Sequence, residues 1–280
     1  MTVYAGRLRA KKKMNVIQKT KLKRWLAALK LLWLTDLGRF LFQFIRNYKK
    51  NRDFLIQRKD FISPPAYFQF ETTGGVDLEY FYTSGESTAD FVSCLFKKYF
   101  KSDFLKILDW GCGASRVLRH IHRFLPNAEL HGADCNEKLI LYGQKKFPGI
   151  DFKLNALLPP VAFKSEYFDA IYCISVFTHI SDRSAQLWFD ELFRILKKGG
   201  VVILTLHGDR YKGELLKNEL ELYEKEGKVF RENYREGKKW FAAYYNPDFK
   251  DHFFENFTIA DHIASPPVLG FSQDFYILRK

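Results

Sequence analysis

Two spacings of apolar residues divide the chain. Trp25, Leu26, Leu29, Leu32, Trp33, Leu37, Phe40, Leu41, Phe44 and Ile45 recur at three- and four-residue steps, which predicts a long helix with one broad apolar face. Pro64 and Pro65 close that arm, and TTGGVD at 72–77 predicts a loop. Residues 78–100 read as a helix-rich approach to the first strand. From there short apolar runs take over: KILDW at 106–110, ELHGAD at 129–134, 151–154, and YFDAIYCI at 167–174. Each has the length of a strand, and the last is apolar enough to lie in the centre of a parallel sheet. Pro159 and Pro160 stop regular structure after the third run. The pattern is that of an α/β domain behind a helical arm.

The first two runs end in acids, and this brings in chemistry. In KILDWGCGASRV, Asp109 sits at a strand tip, and Gly111 and Gly113 allow a sharp turn into a predicted helix without Cβ atoms that would block a ligand. A dinucleotide fingerprint needs a third glycine where Arg116 stands, and no GxxxxGK[ST] phosphate loop occurs. What remains is a carboxylate and a glycine turn suited to a cationic amino-acid nucleoside, or else a tight turn that binds nothing. Asp134 ends the second run about 25 residues on, near the spacing at which a carboxylate takes a ribose diol. Asn155, followed by Ala156, can present an amide to an adenine edge. Ser175 and His179 fall just past the carboxyl end of the fourth run, where open α/β sheets bind ligands.

These segments together resemble the class I S-adenosylmethionine-dependent methyltransferases. LDWGCGASR is similar to the family's first motif, HGAD to its second acidic motif, and FDAIYCISVFTHI to the strand and loop after the adenine region. LFRILKKGGVVILTLHG at 192–208 resembles its helix, Lys-Lys-Gly-Gly turn and fifth strand. One departure is Ser115, where the family usually has a third glycine. The resemblance implies a Rossmann-like seven-stranded, mostly parallel sheet with helices on both faces, 257–264 and 274–278 supplying the last strands. It implies S-adenosyl-L-methionine as cofactor, with Asp109, Gly111 and Gly113 around the methionine part, Asp134 on the ribose, Asn155 with Ala156 on the adenine, and Ser175 also among the cofactor-binding residues. Tyr82, in the segment that related enzymes fold over the cofactor, is the expected cation–π contact for the sulfonium.

His179 is the candidate base, since a histidine takes a proton near neutral pH. The Asn/Asp-Pro-Pro-aromatic segment of enzymes acting on base nitrogens is replaced by CISVF, and a Pro-Cys context for base-carbon methylation is missing. Methylation of an oxygen on a small molecule is therefore favoured. The GCG-x-x-R-V-L-R-H pattern and the C-terminal GFSQDFYILRK also resemble bacterial methyltransferases associated with surface polysaccharides, which extends the acceptor to a sugar or lipid-linked glycan. Trp240, Tyr244 and Tyr245, within an excursion at 209–256, are expected to shape the acceptor pocket.

Charge gives the arm a further role. Residues 1–60 carry 17 Lys or Arg against three acids, so the whole formal excess of +13 belongs to them and the remaining 220 residues are nearly neutral. Such an arm calls for an anionic surface, and a cationic amphipathic helix with two tryptophans suits an anionic membrane. Lys30, Asp36 and Arg39 interrupt the apolar run and argue against a span. Packing on the protein's own body is the competing reading. Nucleic acid is the weaker partner, because no binding module surrounds Lys11, Lys12 and Lys13 or the basic cluster at 19–24. A methyltransferase acting on RNA through this arm, and a non-catalytic membrane adaptor of the same fold, are the alternative functions. The four cysteines form no CxxC pair and no metal spacing, so no metal is expected. No signal peptide is visible at the N-terminus, and the expected location is cytoplasmic, peripheral to the inner membrane face. The division is thus a basic amphipathic arm at 1–60, a helical lid segment at 61–100, and the methyltransferase domain at 101–280.

Overall fold

The computed structural model describes residues 31–232, 234–248, 254–269 and 272–280. Trp25, Leu26, Leu29 and the basic clusters at 11–13 and 19–24 lie outside the described residues.

The apolar runs become strands β1 (Lys106–Trp110), β2 (Glu129–Asp134), β3 (Asp151–Leu154), β4 (Phe168–Cys173) and β5 (Leu196–Leu206), all parallel. A short hairpin-like pair, β6 (Lys228–Phe230) and β7 (Ala243–Tyr245), forms a separate ribbon. β8 (Thr258–Ile263) and β9 (Asp274–Arg279) close the main sheet, with β9 antiparallel to β5, giving the order β3-β2-β1-β4-β5-β9-β8. The order reverses between β1 and β4. At such a reversal the loops on either side diverge, and a crevice opens at the carboxyl ends of the strands.

Both faces of the sheet are covered. Helix α1 (Leu32–Gln57) leads into α2 (Ala66–Thr73) and α3 (Leu78–Tyr99), then α4 (Glu137–Lys146), α5 (Asp182–Ile195) and α6 (Lys217–Glu226). Trp188, Phe189, Leu192 and Ile195 of α5 pack with Leu108, Ile171 and Val202 on one face, and Val92 and Phe96 of α3 pack with Ile107, Tyr172 and Ile203 on the other. Local chemistry sets the helix starts: the Asp77 carboxylate accepts from Tyr80 N at 3.0 Å and the Ser181 hydroxyl from Ser184 N at 3.3 Å, satisfying donors that the first turn leaves free.

The helix expected directly after the glycine turn is instead a short 3₁₀ turn, Leu118–Arg123. Ser115 adopts a left-handed φ of 57°, which breaks right-handed winding at the point where an α-helix would begin. Arg119 then folds back, donating to the carbonyls of Ala114 at 3.0 Å and Ser115 at 2.9 Å, oxygens an α-helix would use itself.

Helix α1 lies on the body through one face. Phe40 meets Phe70 edge-on, the Gln43 side chain bridges Gly74 O and Val76 N, Asn47 donates to Val76 O, and Asn51 caps Leu78 N. Lys50 pairs with Asp77 and Glu79. The competing reading of the arm, that it packs on its own body, therefore holds for this face. Leu37, Leu41, Phe44 and Ile45 are turned outward and exposed. Among the described residues no helix is long and apolar enough to cross a membrane.

Candidate functional site

A cavity of about 600 Å³ opens at the carboxyl ends of β1, β2 and β4, a size within the roughly 300–1,000 Å³ of ligand pockets. The parallel topology brings the predicted residues together there: Asp109, Gly111, Gly113, Asp134, Asn155, Ala156, Ser175 and His179 all line it.

The turn after β1 is pinned to its neighbour strand. Gly111 N and Cys112 N donate to Ala133 O at 2.7 and 3.0 Å. Gly113 N donates to the Asp134 carboxylate at 2.9 Å, whose other oxygen accepts from Asn136 N at 2.8 Å. Gly111 has φ +82°, and a Cβ there would lie 2.3 Å from Val176 Cγ2. Gly111→Ala is thus expected to force both strain and a clash into the cavity floor. We expect it to weaken ligand affinity at least about tenfold and lower the melting temperature, measured by calorimetry and thermal unfolding.

Asp109 is buried beneath this turn. The Tyr172 hydroxyl donates to it at 3.0 Å. Burial outweighs that hydrogen bond and the nearby Arg116 charge, and with Asp134 adding repulsion its carboxyl is pushed up to about 7. Asp134 is also raised by burial, held back by its backbone donors. Asn155 gives Nδ2 to Ala156 O at 2.6 Å, while its Oδ1 is buried without a partner. That is an acceptor awaiting a donor. Ser175 sits at a left-handed φ of 60°, its N–H on Thr205 Oγ1 at 2.8 Å and its hydroxyl on Gln273 at 3.0 Å, so it shapes the wall with its backbone.

His179 is half-buried and lines the cavity from the turn after β4. Its Nδ1 makes a 2.7 Å hydrogen bond to Phe241 O, an interaction in which the ring nitrogen must donate. The neutral tautomer then carries its lone pair on Nε2. Burial holds its pKa below the usual imidazole value, opposed by that carbonyl. Gly237 N also donates to His179 O at 2.8 Å, so the segment 237–241 wraps the histidine.

Three expectations are corrected. Tyr82 is not in the cavity: its ring is buried among Phe54, Phe61 and His120, and its hydroxyl accepts from Arg58 and Arg123. The residues of the 61–100 segment that line the cavity are Tyr67, Glu71 and Thr72 of α2, with Ala114 N donating to Thr72 Oγ1 at 3.4 Å. Tyr244 and Tyr245 are core residues of the β6–β7 ribbon, and Trp240 ties down α1 by donating to Asp36 at 2.8 Å. The excursion meets the cavity instead through Gly237, Lys238 and Lys239. No spacing in the sequence singles these out, because their placement depends on how two distant segments fold over the sheet.

The fold and this cavity define a Rossmann-like nucleoside-binding protein. Comparison with known proteins sharpens that. Residues 107–200 match the methyltransferase domain family. Over 99 residues the chain is 35% identical to a cycloartenol-C-24-methyltransferase of Arabidopsis thaliana, a match covering 34% of this chain and 29% of that enzyme. A malonyl-acyl-carrier-protein O-methyltransferase of Bacillus cytotoxicus is 23% identical over 44% of this chain and 43% of its own length. The chain thus spans less than half the length of either curated relative. Among solved structures, a S-adenosylmethionine-dependent methyltransferase from Methanosarcina mazei has a TM-score of 0.50 at 18% identity, over 66% of this chain and 96% of that one. Residues 107–200 thus match a methyltransferase domain on the fold that S-adenosylmethionine-dependent methyltransferases share, and S-adenosylmethionine is the cofactor this likeness implies.

The cavity's residues fit that cofactor. Gly111 lets the turn pack against Val176 at the cavity's edge, the unpartnered Asn155 Oδ1 suits an amino group on adenine, and two carboxylates suit a ribose diol and an ammonium.

Proposed function

We propose that the protein methylates a hydroxyl oxygen on a sugar, a lipid-linked glycan or a related small molecule, with His179 as general base. The observation that carries this reading is His179, which lines the cavity and whose Nδ1–H is fixed on Phe241 O so that Nε2 keeps its lone pair. S-adenosylmethionine, when bound, supplies an electrophilic methyl group on a sulfonium. Asp134 would take the ribose hydroxyls, Asn155 and the Ala156 backbone the adenine, and Asp109 the methionine ammonium. His179 Nε2 would accept the acceptor's hydroxyl proton as the oxygen becomes nucleophilic. Tyr67, Glu71 and Thr72 of α2 and Lys239 would close the cavity and exclude water, leaving alignment as the main task of the protein. The absence of a Pro-Pro-aromatic segment after β4, and the likeness of the GCG-x-x-R-V-L-R-H pattern to polysaccharide-associated enzymes, support an oxygen acceptor.

Asp109 makes cofactor binding pH-dependent. Its carboxylate form meets the ammonium, and its pKa lies near 7 in the free protein, so protons compete as pH falls through that value. The dissociation constant for S-adenosylmethionine is expected to rise below pH 7, approaching about tenfold per pH unit, and to become flat with pH in Asp109→Asn. Titrations at several pH values read this directly.

The acceptor is tested by incubating the full chain with methyl-labelled cofactor and fractionated cell extract. Label in a glycan or lipid fraction supports the proposal. Label confined to RNA, or to protein, would overturn it.

A further inference from the structure

We infer that the outward face of α1 is a docking surface for an anionic phospholipid bilayer. The face opposite the body carries Leu34, Leu37, Leu41, Ile45 and Tyr48 at three- and four-residue steps, with Ile56 two turns further on, all exposed; Ile45 is 73% and Ile56 62% accessible. Trp33 at 60% and Phe42 at 62% flank it. None of the 26 residues of this helix is fully buried. A chain that left such a row in water would forfeit the largest stabilising contribution an amphipathic helix can make, and contiguous apolar patches of this kind mark interaction sites.

What covers the row is indicated by charge. Arg46 and Lys49 are exposed beside it on the same helix and Arg52 within it, and the sequence before and through α1 holds the entire positive excess of the chain. Arg46 also borders a recess with Phe42, Gln43 and Asn47, one turn from an exposed ring. Arginine matches phosphate geometry, and a basic rim about an aliphatic and aromatic strip is the composition of helices that lie in the headgroup plane. A protein partner would equally cover an apolar strip but would not account for this rim, nor for the charge concentrated ahead of it.

The position of the helix gives the docking a consequence. Asp36 holds Trp240 and pairs with Lys239 at 3.3 Å, and Phe40 meets Tyr67 edge-on. Lys239 and Tyr67 both line the cavity. The inward face of α1 thus braces the cavity's rim while its outward face meets the bilayer, so an acceptor held in the membrane reaches the site without crossing open water.

The test is sedimentation of the purified full chain with phosphatidylcholine vesicles and with vesicles containing about 30% phosphatidylglycerol at physiological salt. We expect at least about tenfold stronger binding to the anionic vesicles, and a loss of about tenfold or more in both Leu41→Asp/Ile45→Asp and Arg46→Glu/Lys49→Glu. Both double variants should keep the wild-type melting temperature, since these side chains are exposed. The readout needs no cofactor, so it stands or falls separately from methyl transfer. Absence of vesicle binding would overturn the inference, as would binding that Leu41→Asp/Ile45→Asp leaves intact, which would mean residues 1–30 act alone. A dimer dissociated by that variant, or RNA binding lost with it in place of vesicle binding, would assign the face to another occupant and overturn it equally.

Discussion

Replacing His179 with alanine is expected to lower the rate of methyl transfer by roughly 10²- to 10⁴-fold while leaving cofactor affinity within about threefold of wild type. The split comes from position. His179 lines the cavity from the turn after β4, and its ring is oriented by Phe241 O, not by any residue assigned to the cofactor. The pH profile carries a second signature. The imidazole is held neutral more readily than a free histidine because burial lowers its pKa, so the basic form persists into mildly acid solution. The turnover rate at saturating cofactor should fall as pH drops through a midpoint below 6.5, the ordinary histidine value. The specificity constant for the cofactor should instead bend near 7, where Asp109 titrates. Rates measured across pH on whichever acceptor fraction takes the label separate the two. Coincident midpoints, or a flat turnover profile, would remove His179 from the role.

Asp134→Ala should have the largest effect on binding. The wild-type carboxylate already holds Gly113 N and Asn136 N, so its removal costs the turn its anchor as well as the ribose its acceptor. Hydrogen bonds to a charged group contribute about 1.5–3 kcal/mol each, and the loss of two to the ligand corresponds to a dissociation constant raised on the order of 100-fold or more. The fold itself should survive, since Asp134 ends a strand whose Leu130 and Ala133 side chains supply the packing. Titration calorimetry together with a thermal unfolding curve distinguishes loss of the site from loss of the protein.

The two acids show why so much of this site is legible in the sequence. In a parallel sheet every strand delivers its carboxyl end to the same edge, so Asp109, Asp134 and Asn155, each found at the end of an apolar run, must converge once the runs are strands. β2 and β3 occupy the residues predicted for them, and the region after β4 puts His179 where expected. What the periodicity lacks is tertiary. Tyr82 is a candidate only through its place after the arm, yet α3 turns that position toward Phe54 and Phe61 and leaves α2 to cover the turn. Aromatic residues at 240, 244 and 245 look alike as candidates for a pocket, but β7 takes Tyr244 and Tyr245 into packed cores, and Asp36, more than 200 positions earlier, takes Trp240. Lys238 and Lys239 carry no motif at all. Ser115 marks a subtler limit: the departure from glycine is visible, and the structure adds that serine accepts the left-handed conformation there, at a cost of order 1 kcal/mol, and that the helix after it is lost.

The most direct measurement is calorimetric titration of the purified full chain with S-adenosylhomocysteine, the demethylated form of the cofactor. One saturable site per chain is predicted, weakened on the order of 100-fold in Asp134→Ala and unaffected by Tyr82→Phe, whose hydroxyl lies outside the cavity. No heat of binding to either S-adenosylhomocysteine or S-adenosylmethionine with a folded protein, or binding that Asp134→Ala leaves unchanged, would contradict the assignment of this cavity.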